Sequence, residues 1–523
     1  GRIAKERYAA TRDKSSVSAR DLARVAIVCY RRAHSIRGDA YPAVNAATMA
    51  MLVGDASLAT SLARQALRTL EVPSDHWLHA SAGEALLILD QLDAARAHYV
   101  EACRLADGKF GDIASKRRQL LMIGSMAARE LAEALPGPQV IAFSGHMIDH
   151  PTRASPRFPA DIEQRVAVAL REKIASLGPS IGYAQAACGA DILFLEALQD
   201  AGSQTQIVLP FARAHFVETS VSFAGEAWTR RFERVIDRAT RVVVATEEAF
   251  LGDDVLFEHA ANLIQGMAFL RAAELSTTPL MLTVREDESL ALVGGTAATA
   301  RNWTRKGGRI ENIDLAALRG DTPRAQTNDV ETVAVKAIEP SLRRRGLKSL
   351  LFADISGFSK MPERYAPDFA EMFLGSAKRI LDSLAHQPVH VNTHGDGLFL
   401  VFELPSHAAE FAVRLQQALT EFDWPALGLS AETGVRIALH TGPLFRIFDP
   451  VTERFTFYGT HVNRTARLEP IVQPRHIFVT EEFAASLIAE NQDRFHCDYI
   501  GSMQLAKHFG EARLYRLRWT VER

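Results

Sequence analysis

The spacing of apolar residues changes character twice along this chain, and no single core satisfies all three patterns. Over residues 1–135 alanine and leucine recur at i, i+3, i+4 and i+7 with few breakers, which predicts helix throughout. From 138 to 290 short β-rich runs, PQVIAFSG, SQTQIVLPF, TRVVVATEE and TTPLMLTVRE, alternate with helical stretches at 160–177, 189–201 and 257–274. Strands alternating with helices predict a parallel sheet covered on both faces. From Leu347 onward strands and helices are mixed with tight turns. The 523 residues exceed the roughly 250–300 that one core holds, so several domains are expected. We read 1–135 as a helical domain, 138–310 as an α/β domain, 311–346 as a linker and 347–523 as an α+β domain. The linker ends in the run Arg343, Arg344, Arg345, expected as a solvated face.

Composition narrows the function classes. The formal charge is −2, so no global field draws the chain to nucleic acid or acidic lipid. The four cysteines, Cys29, Cys103, Cys188 and Cys497, are far apart. They suggest neither a disulfide framework nor a structural zinc site, and fit a reducing cytoplasm. No apolar run approaches the roughly 18–20 residues that span a bilayer, and the first residues lack the apolar core of a signal peptide. The expectation is a soluble, cytoplasmic protein with neither membrane nor nucleic acid as partner.

Within the helical segment Ala47, Gly54, Ala59, Ala63 and Ala66 recur 36 residues later as Gly83, Asp90, Ala95, Tyr99 and Ala102. Small residues at these places let antiparallel helices approach. The spacing resembles tetratricopeptide repeats, whose period is about 34, and YPAVNAATMAMLVGD resembles the TRAFs-binding helical region. That likeness implies a docking site for a protein partner. In the α/β segment, Ser144-Gly145-His146 follows the first strand and Ala187-Cys188-Gly189-Ala190-Asp191 opens a helix. A small-residue loop at a helix N-terminus can hold a phosphate through backbone N–H groups. The alternative is that the glycines only make tight turns. The layout resembles the Rossmann-like SLOG family, which implies a nucleotide-like ligand, with His146 and Asp149 as polar contacts. Asp149, Asp191 and Glu258 stand isolated and form no acid–base pair.

The chemistry concentrates in the last third. SLLFADISGFSKM predicts a buried strand that ends at Asp354 and turns at Ser356-Gly357-Phe358 into a helix whose free N–H groups can cradle a polyphosphate. HVNTHGDGLFLVFE predicts two strands joined at a Gly-Asp-Gly hairpin tip carrying Asp396. If that hairpin pairs beside the first strand, both carboxylates converge. Hard oxygen ligands of this kind suit Mg²⁺ or Mn²⁺ carrying a triphosphate. In YGTHVNRTARLE, Asn463 and Arg467 are four apart and share a helix face. An amide can orient a ribose, and a guanidinium can hold charge developing on phosphorus.

DISGFS, THGDGLFLVF, VRIALHTGP and YGTHVNRTARLE, in this order and spacing, resemble the class III adenylate/guanylate cyclase family over about 170 residues. The resemblance implies a ferredoxin-like α+β domain working as a head-to-tail homodimer on a nucleoside triphosphate, with two Mg²⁺ or Mn²⁺ ions per site. Asp354 and Asp396, with the Ile355 carbonyl, would hold the metals. Ser356, Gly357 and Phe358 would lie against the substrate. Asn463 and Arg467 would reach in from the other subunit, and Lys507 stands where the family has a phosphate-binding lysine. At the base-reading positions this chain departs from the family, with Asn392 and Thr456 in place of Lys and Asp or Glu and Cys. Both can donate and accept hydrogen bonds, so neither strongly rejects another base. ATP is the expected substrate, because many soluble bacterial members of the family with irregular pairs at these positions make cyclic AMP. GTP, the pyrimidine triphosphates used by relatives in antiphage signalling, and a catalytically silent sensor stand as alternatives.

Overall fold

The computed structural model describes residues 1–11, 13–70, 72–106, 109–153, 156–286, 303–320, 345–420, 422–490 and 494–519. The chain divides into two compact units: Gly1–Pro138 with Ala273–Thr277, and Gln139–Ala272 with Thr278–Arg523.

Among its described residues the first unit contains eight helices: α1 (Arg2–Ala10), α2 (Val17–Arg37), α3 (Ala40–Leu52), α4 (Ala56–Arg68), α5 (His76–Ile88), α6 (Leu92–Leu105), α7 (Phe110–Ile123) and α8 (Met126–Ala134). Ser16, Asp55, Asp75 and Ser125 start α2, α4, α5 and α8 by accepting hydrogen bonds from first-turn N–H groups. Neighbouring helices in the sequence pack on one another from α1 to α6, and α7 packs on α8. The small residues singled out in the sequence lie at the seams: Ala47, Ala59, Ala63, Ala66, Ala95 and Ala102 are fully buried or nearly so. The Glu84 carboxyl is buried as well; it accepts from Gln119 at 2.6 Å and also bonds Thr48.

In the second unit, residues 139–319 build a six-stranded sheet from β1 (Gln139–Gly145), β2 (Ser180–Ala184), β3 (Gln204–Leu209), β4 (Arg241–Val244), β5 (Leu280–Arg285) and β6 (Arg309–Asp314). All pairings are parallel, in the order β4-β3-β2-β1-β5-β6. The inner strands β1, β2 and β5 are buried along most of their length, as expected where both faces are covered, whereas the edge strands β4 and β6 are only partly buried. The covering helices are α9 (Glu163–Leu177), α10 (Ala190–Asp200), α11 (Arg213–Ser220), α12 (Glu226–Asp237), α13 (Val255–Leu275) and α14 (Leu315–Arg319). The winding reverses between β1 and β5, and in such sheets that reversal leaves a crevice at the carboxyl ends of the strands. The stretch read as linker therefore opens with the end of a sheet strand and a helix; residues 321–344, with Arg343 and Arg344, lie outside the described residues.

The remaining residues form a mixed sheet. Its strands are β7 (Arg345–Ile355), β8 (His390–His394), β9 (Gly397–Phe402), β10 (Val435–Asp449), β11 (Arg454–Tyr458), β12 (His476–Thr480), β13 (Phe495–Gln504) and β14 (Glu511–Trp519). The order is β13-β14-β12-β10-β7-β9-β8, with β11 paired to β10. The helices are α15 (Ala366–Ser383), α16 (Pro405–Thr420), α17 (Thr460–Leu468) and α18 (Glu481–Ala489). The succession β7-α15-β8-β9-α16-β10 is a βαββαβ unit whose strands lie in the order β10-β7-β9-β8, all antiparallel. Leu350, Val401, Phe402, Phe411 and Ile437 are fully buried in this domain.

One expectation needs correcting. Arg345 is not a solvated linker residue. It opens β7, its side chain is 2% exposed, and its guanidinium grips Asp253 in two bonds of 2.6 and 3.0 Å. A carboxylate is the partner that makes burying this cation tolerable.

Candidate active site

β7 runs apolar through Leu350, Leu351 and Ala353 and delivers Asp354 at its carboxyl end. The neighbouring hairpin β8–β9 pairs antiparallel beside β7, with Ala353 opposite Leu398 and His394 opposite Gly397. Its tip, with Gly395 at φ +62°, turns Asp396 toward the end of β7. The two carboxyl groups meet: burial first, then hydrogen bonding and charge repulsion from Asp354, pushes the Asp396 carboxyl up to about 7. The convergence expected from the hairpin signal is therefore present within one chain.

Two residues unremarked in the sequence complete this corner. Arg436 on β10 lies opposite Asp354 in the β7–β10 register. Its Nη2 donates to Asp354 Oδ2 at 2.5 Å and lies 2.8 Å from Glu469 Oε1. Burial lifts the Glu469 carboxyl to about 7, against the pull of the Arg436 cation. The signal was the alternation in VRIALHTGP, which sets Arg436 on the opposite face from its apolar neighbours.

The loop after β7 differs from expectation. Gly357 is left-handed at φ +79°, but two three-residue 3-10 turns follow, Phe358–Lys360 and Glu363–Tyr365, and the α-helix begins at Ala366. A long helix does not therefore aim its N-terminus from Gly357. Ser356 is held across the loop, its N–H donating to the Gly434 carbonyl at 3.1 Å and its hydroxyl accepting from Gly434 N–H at 3.2 Å. Phe358 packs on Phe369 with the ring centroids 4.7 Å apart and the planes tilted by 46°.

The second set of site residues gathers around α17. Asn463 is exposed and Arg467 half-buried on that helix, one turn apart. Neither makes a side-chain hydrogen bond or ion pair among the described residues. Lys507 sits exposed at the tip joining β13 to β14, where it and His508 adopt left-handed φ of 58° and 56°. That tip packs against α17, and Leu468 and Leu505 share one apolar cluster with Ala438 and Phe478. Asn463, Arg467 and Lys507 thus belong to one local assembly on α17 and the β13–β14 tip; α17 also packs on β7, yet none of the three side chains bonds Asp354 or Asp396 among the described residues. Asn392 is exposed on β8 and Thr456 is half-buried on β11; no hydrogen bond joins them among the described residues.

Comparison with known proteins bears on this domain. Residues 344–518 match the family described as "Adenylate and Guanylate cyclase catalytic domain". The C-terminal third is a class III cyclase catalytic domain. The adenylate cyclase of Podospora anserina is 25% identical over 164 residues, covering 27% of this chain and 7% of that protein. The adenylate cyclase of Schizosaccharomyces pombe is 25% identical over 165 residues, covering 27% and 10%. The crystal structure of the adenylyl cyclase CyaB from P. aeruginosa is 19% identical with a TM-score of 0.28, covering 34% of this chain and 95% of that one. The chain spans a tenth or less of the two fungal proteins.

The oxygen chemistry of the cyclase corner fits a divalent cation. A carboxyl whose proton affinity is raised by burial and by a neighbouring acid, as that of Asp396 is beside Asp354, is a favourable seat for positive charge. Among the described residues no group of three or more His, Cys, Asp or Glu side chains has metal-holding geometry, so any further ligands would be backbone, water or substrate oxygens. The middle-domain loops are built differently from a phosphate cradle. The Asp191 carboxylate takes the backbone N–H groups of Ala187 and Gly145. Gly189, at φ +114°, lies so near the 146–148 backbone that a Cβ would sit 2.4 Å from Ile148 N. Asp149 accepts from Arg157 N–H at 2.9 Å and faces Arg153, and burial pushes the His146 ring down to about 4.

Among the described residues no helix is long and apolar enough to cross a membrane.

Proposed function

We propose that this protein cyclises a nucleoside triphosphate, ATP in the first place, to a 3′,5′-cyclic monophosphate with release of pyrophosphate. The observation that carries the reading is the meeting of Asp354 and Asp396 at the ends of β7 and the β8–β9 hairpin. Mg²⁺ or Mn²⁺ bound there would supply Lewis acidity at the α-phosphate and lower the proton affinity of the ribose 3′-hydroxyl. Asp354 and Asp396 would hold that charge, with Ile355 offering its carbonyl. Arg436 fixes the Asp354 carboxylate from the opposite strand. Ser356, Gly357 and Phe358 would lie along the substrate.

Asn463 and Arg467 make no side-chain bond to the carboxylates or to any other described residue, which leaves their polar groups available to another molecule. In a head-to-tail homodimer they would face the partner's Asp354–Asp396 corner, Asn463 orienting the ribose and Arg467 holding charge on the transferred phosphorus. Lys507 would hold terminal phosphate oxygens. ATP is favoured because the fungal relatives above are adenylate cyclases. Asn392 and Thr456 would read the base, each contact worth about 1–3 kcal/mol, which leaves GTP a weaker competitor. The helical unit would dock a protein partner, and the α/β domain would regulate the cyclase.

The test is product analysis by chromatography after separate incubation with ATP, GTP, CTP and UTP in Mn²⁺, beside an Asp396→Ala control. A cyclic nucleotide that vanishes in the control supports the reading. Failure to cyclise any of the four by both the full chain and residues 345–519 overturns it.

A further inference from the structure

The crevice at the winding reversal of the parallel sheet is a cavity of ≈570 Å³. That volume is in the range of small-molecule sites, which favour such reversals. Its walls are the carboxyl end of β1, the start of α10 and one face of α13. Phe143, Phe250 and Phe257 supply flat apolar surface, and Phe250 and Phe257 are set edge to face at 5.6 Å. The polar groups are the amides of Gln185 and Gln265, the hydroxyls of Ser144, Thr219 and Ser220, and the carboxyls of Asp191 and Asp254. Gln265 is 7% exposed and its side chain makes no hydrogen bond among the described residues, so its amide meets the cavity with donor and acceptor capacity unspent. Asp191 is buried at the same wall, and Asp254 lies at the exposed mouth. None of the lining residues is Lys, Arg or His.

This lining is a poor seat for a phosphate. Asp254 stands at the mouth as an acid, no lining side chain is a cation, the nearby Arg285 guanidinium is engaged with the Ser144 hydroxyl, and the Ala187 N–H that opens the loop before α10 already serves Asp191. An aromatic heterocycle suits it, stacking on phenylalanine and presenting an edge of donors and acceptors to Gln265.

α13 has a second face. Gly266 stands where a Cβ would lie 2.1 Å from the Ala485 carbonyl of α18, so the helix touches the cyclase domain backbone to backbone. His259, fully buried on α13, is within electrostatic reach of Glu482, His440 and His461. His440 Nε2 is 2.8 Å from His461 Nδ1, and His461 belongs to α17, the helix of Asn463 and Arg467. Just before α13, Asp253 grips Arg345 at the root of β7, the strand of Asp354. One helix therefore lines the cavity and adjoins both elements that carry the cyclase residues.

We propose that this cavity binds an uncharged heteroaromatic molecule of nucleoside size, and that α13 passes its occupancy to the cyclase domain. The second half rests on the cyclase reading; the first does not.

The experiment separates them. Isothermal titration of the full chain, with no triphosphate or metal present, uses adenosine, guanosine, cytidine and uridine as probes beside AMP. Saturable binding of at least one nucleoside is expected, with AMP at least tenfold weaker than adenosine. Ala261→Phe, which fills the cavity from α13, and Gln265→Leu, which removes the free amide, should each weaken the bound nucleoside at least tenfold. No saturable nucleoside binding, AMP binding as tightly as adenosine, or binding untouched by both substitutions overturns the site. For the second half, the bound nucleoside is added to the cyclase assay. A change of twofold or more in cyclic nucleotide formation, lost in Gln265→Leu, is expected. An active cyclase indifferent to a nucleoside that binds overturns the coupling, whereas binding by a chain that cyclises nothing leaves the site standing and removes the cyclase reading instead.

Discussion

Arg436 donates to Asp354 at 2.5 Å across the β7–β10 ladder and reaches Glu469 at 2.8 Å with the same nitrogen. Its side chain is 22% exposed, and those of Asp354 and Glu469 are 28% and 14%. The guanidinium positions one carboxylate and neutralises another. Replacing it with methionine keeps the stem and strands both acids. We expect Arg436→Met to lower kcat/KM about 10–100-fold, the range for residues that orient metal ligands. It should also raise the Mn²⁺ concentration needed for half-maximal rate. Lysine, with one charge but no fork, should recover part of the loss. Unchanged metal dependence with a lowered melting temperature would mean that Arg436 serves the fold alone.

Asp396 should behave oppositely for rate and stability. Its carboxyl is partly buried beside Asp354 and is pushed up to about 7, so ionising it in the folded chain is costly. Asp396→Asn removes that cost and nearly preserves shape. Cyclase activity should fall at least about 100-fold through lost metal affinity, while the melting temperature in EDTA stays level or rises. A clear drop in melting temperature would contradict the electrostatic account of this corner.

Much of this corner was legible in the sequence. An apolar strand ending in Asp354 and a Gly-Asp-Gly tip carrying Asp396 are local signals, and each fixes its own carboxylate. The Arg436 contact was not legible, because an antiparallel register between β7 and β10, 82 residues apart at this pair, is a tertiary fact. The same holds for Arg345 and Asp253, which are 92 apart: a run of three arginines reads as solvated until a distant acid is found. The helix expected after Gly357 failed for a local reason, since Pro362 interrupts the run and the 3-10 turn closes on itself. The phosphate-holding loop failed at Asp191, whose own carboxylate occupies the N–H groups a phosphate would need.

The dimer proposal is tested by complementation. Asn463 and Arg467 make no side-chain hydrogen bond or ion pair within the described chain, as expected of groups that act on a neighbour. Asp396→Asn and Asn463→Ala chains should each be inactive alone. Mixed after co-expression, they form heterodimers with one intact site of two, and statistics give about a quarter of wild-type activity in a twofold-symmetric assembly. Mixing without recovery, when the heterodimer is demonstrated by differential tags, would place all the residues of a site in one chain.

Acid should weaken the fold through three buried rings. Burial pushes His440 down to about 3 and His259 to about 4, and holds His461 well below its ordinary value. Glu482 works in the other direction, pulling the His440 ring up; together with Arg464 and His440 its own carboxyl is held far below the usual range despite burial. The sign follows from proton counting. Between about pH 6.5 and the folded values, the unfolded chain binds a proton on each ring and the folded chain does not. Unfolding then takes up protons, so stability is complete above pH 6.5 and is lost as pH falls. Each ring contributes up to about 1.4 kcal/mol per pH unit below 6.5. Glu482 adds its own loss only below its unfolded value, ~4.3. Urea unfolding at pH 7.5 and 5.5 should therefore cost the wild type more than His440→Gln, which keeps a bond to Thr480 within reach but removes one titrating ring. The difference between the two proteins isolates that ring, because Glu469 and the other shifted carboxyls are common to both. The expected gap is about 1 kcal/mol; equal losses in both proteins would mean that His440 is already free to take a proton in the folded chain.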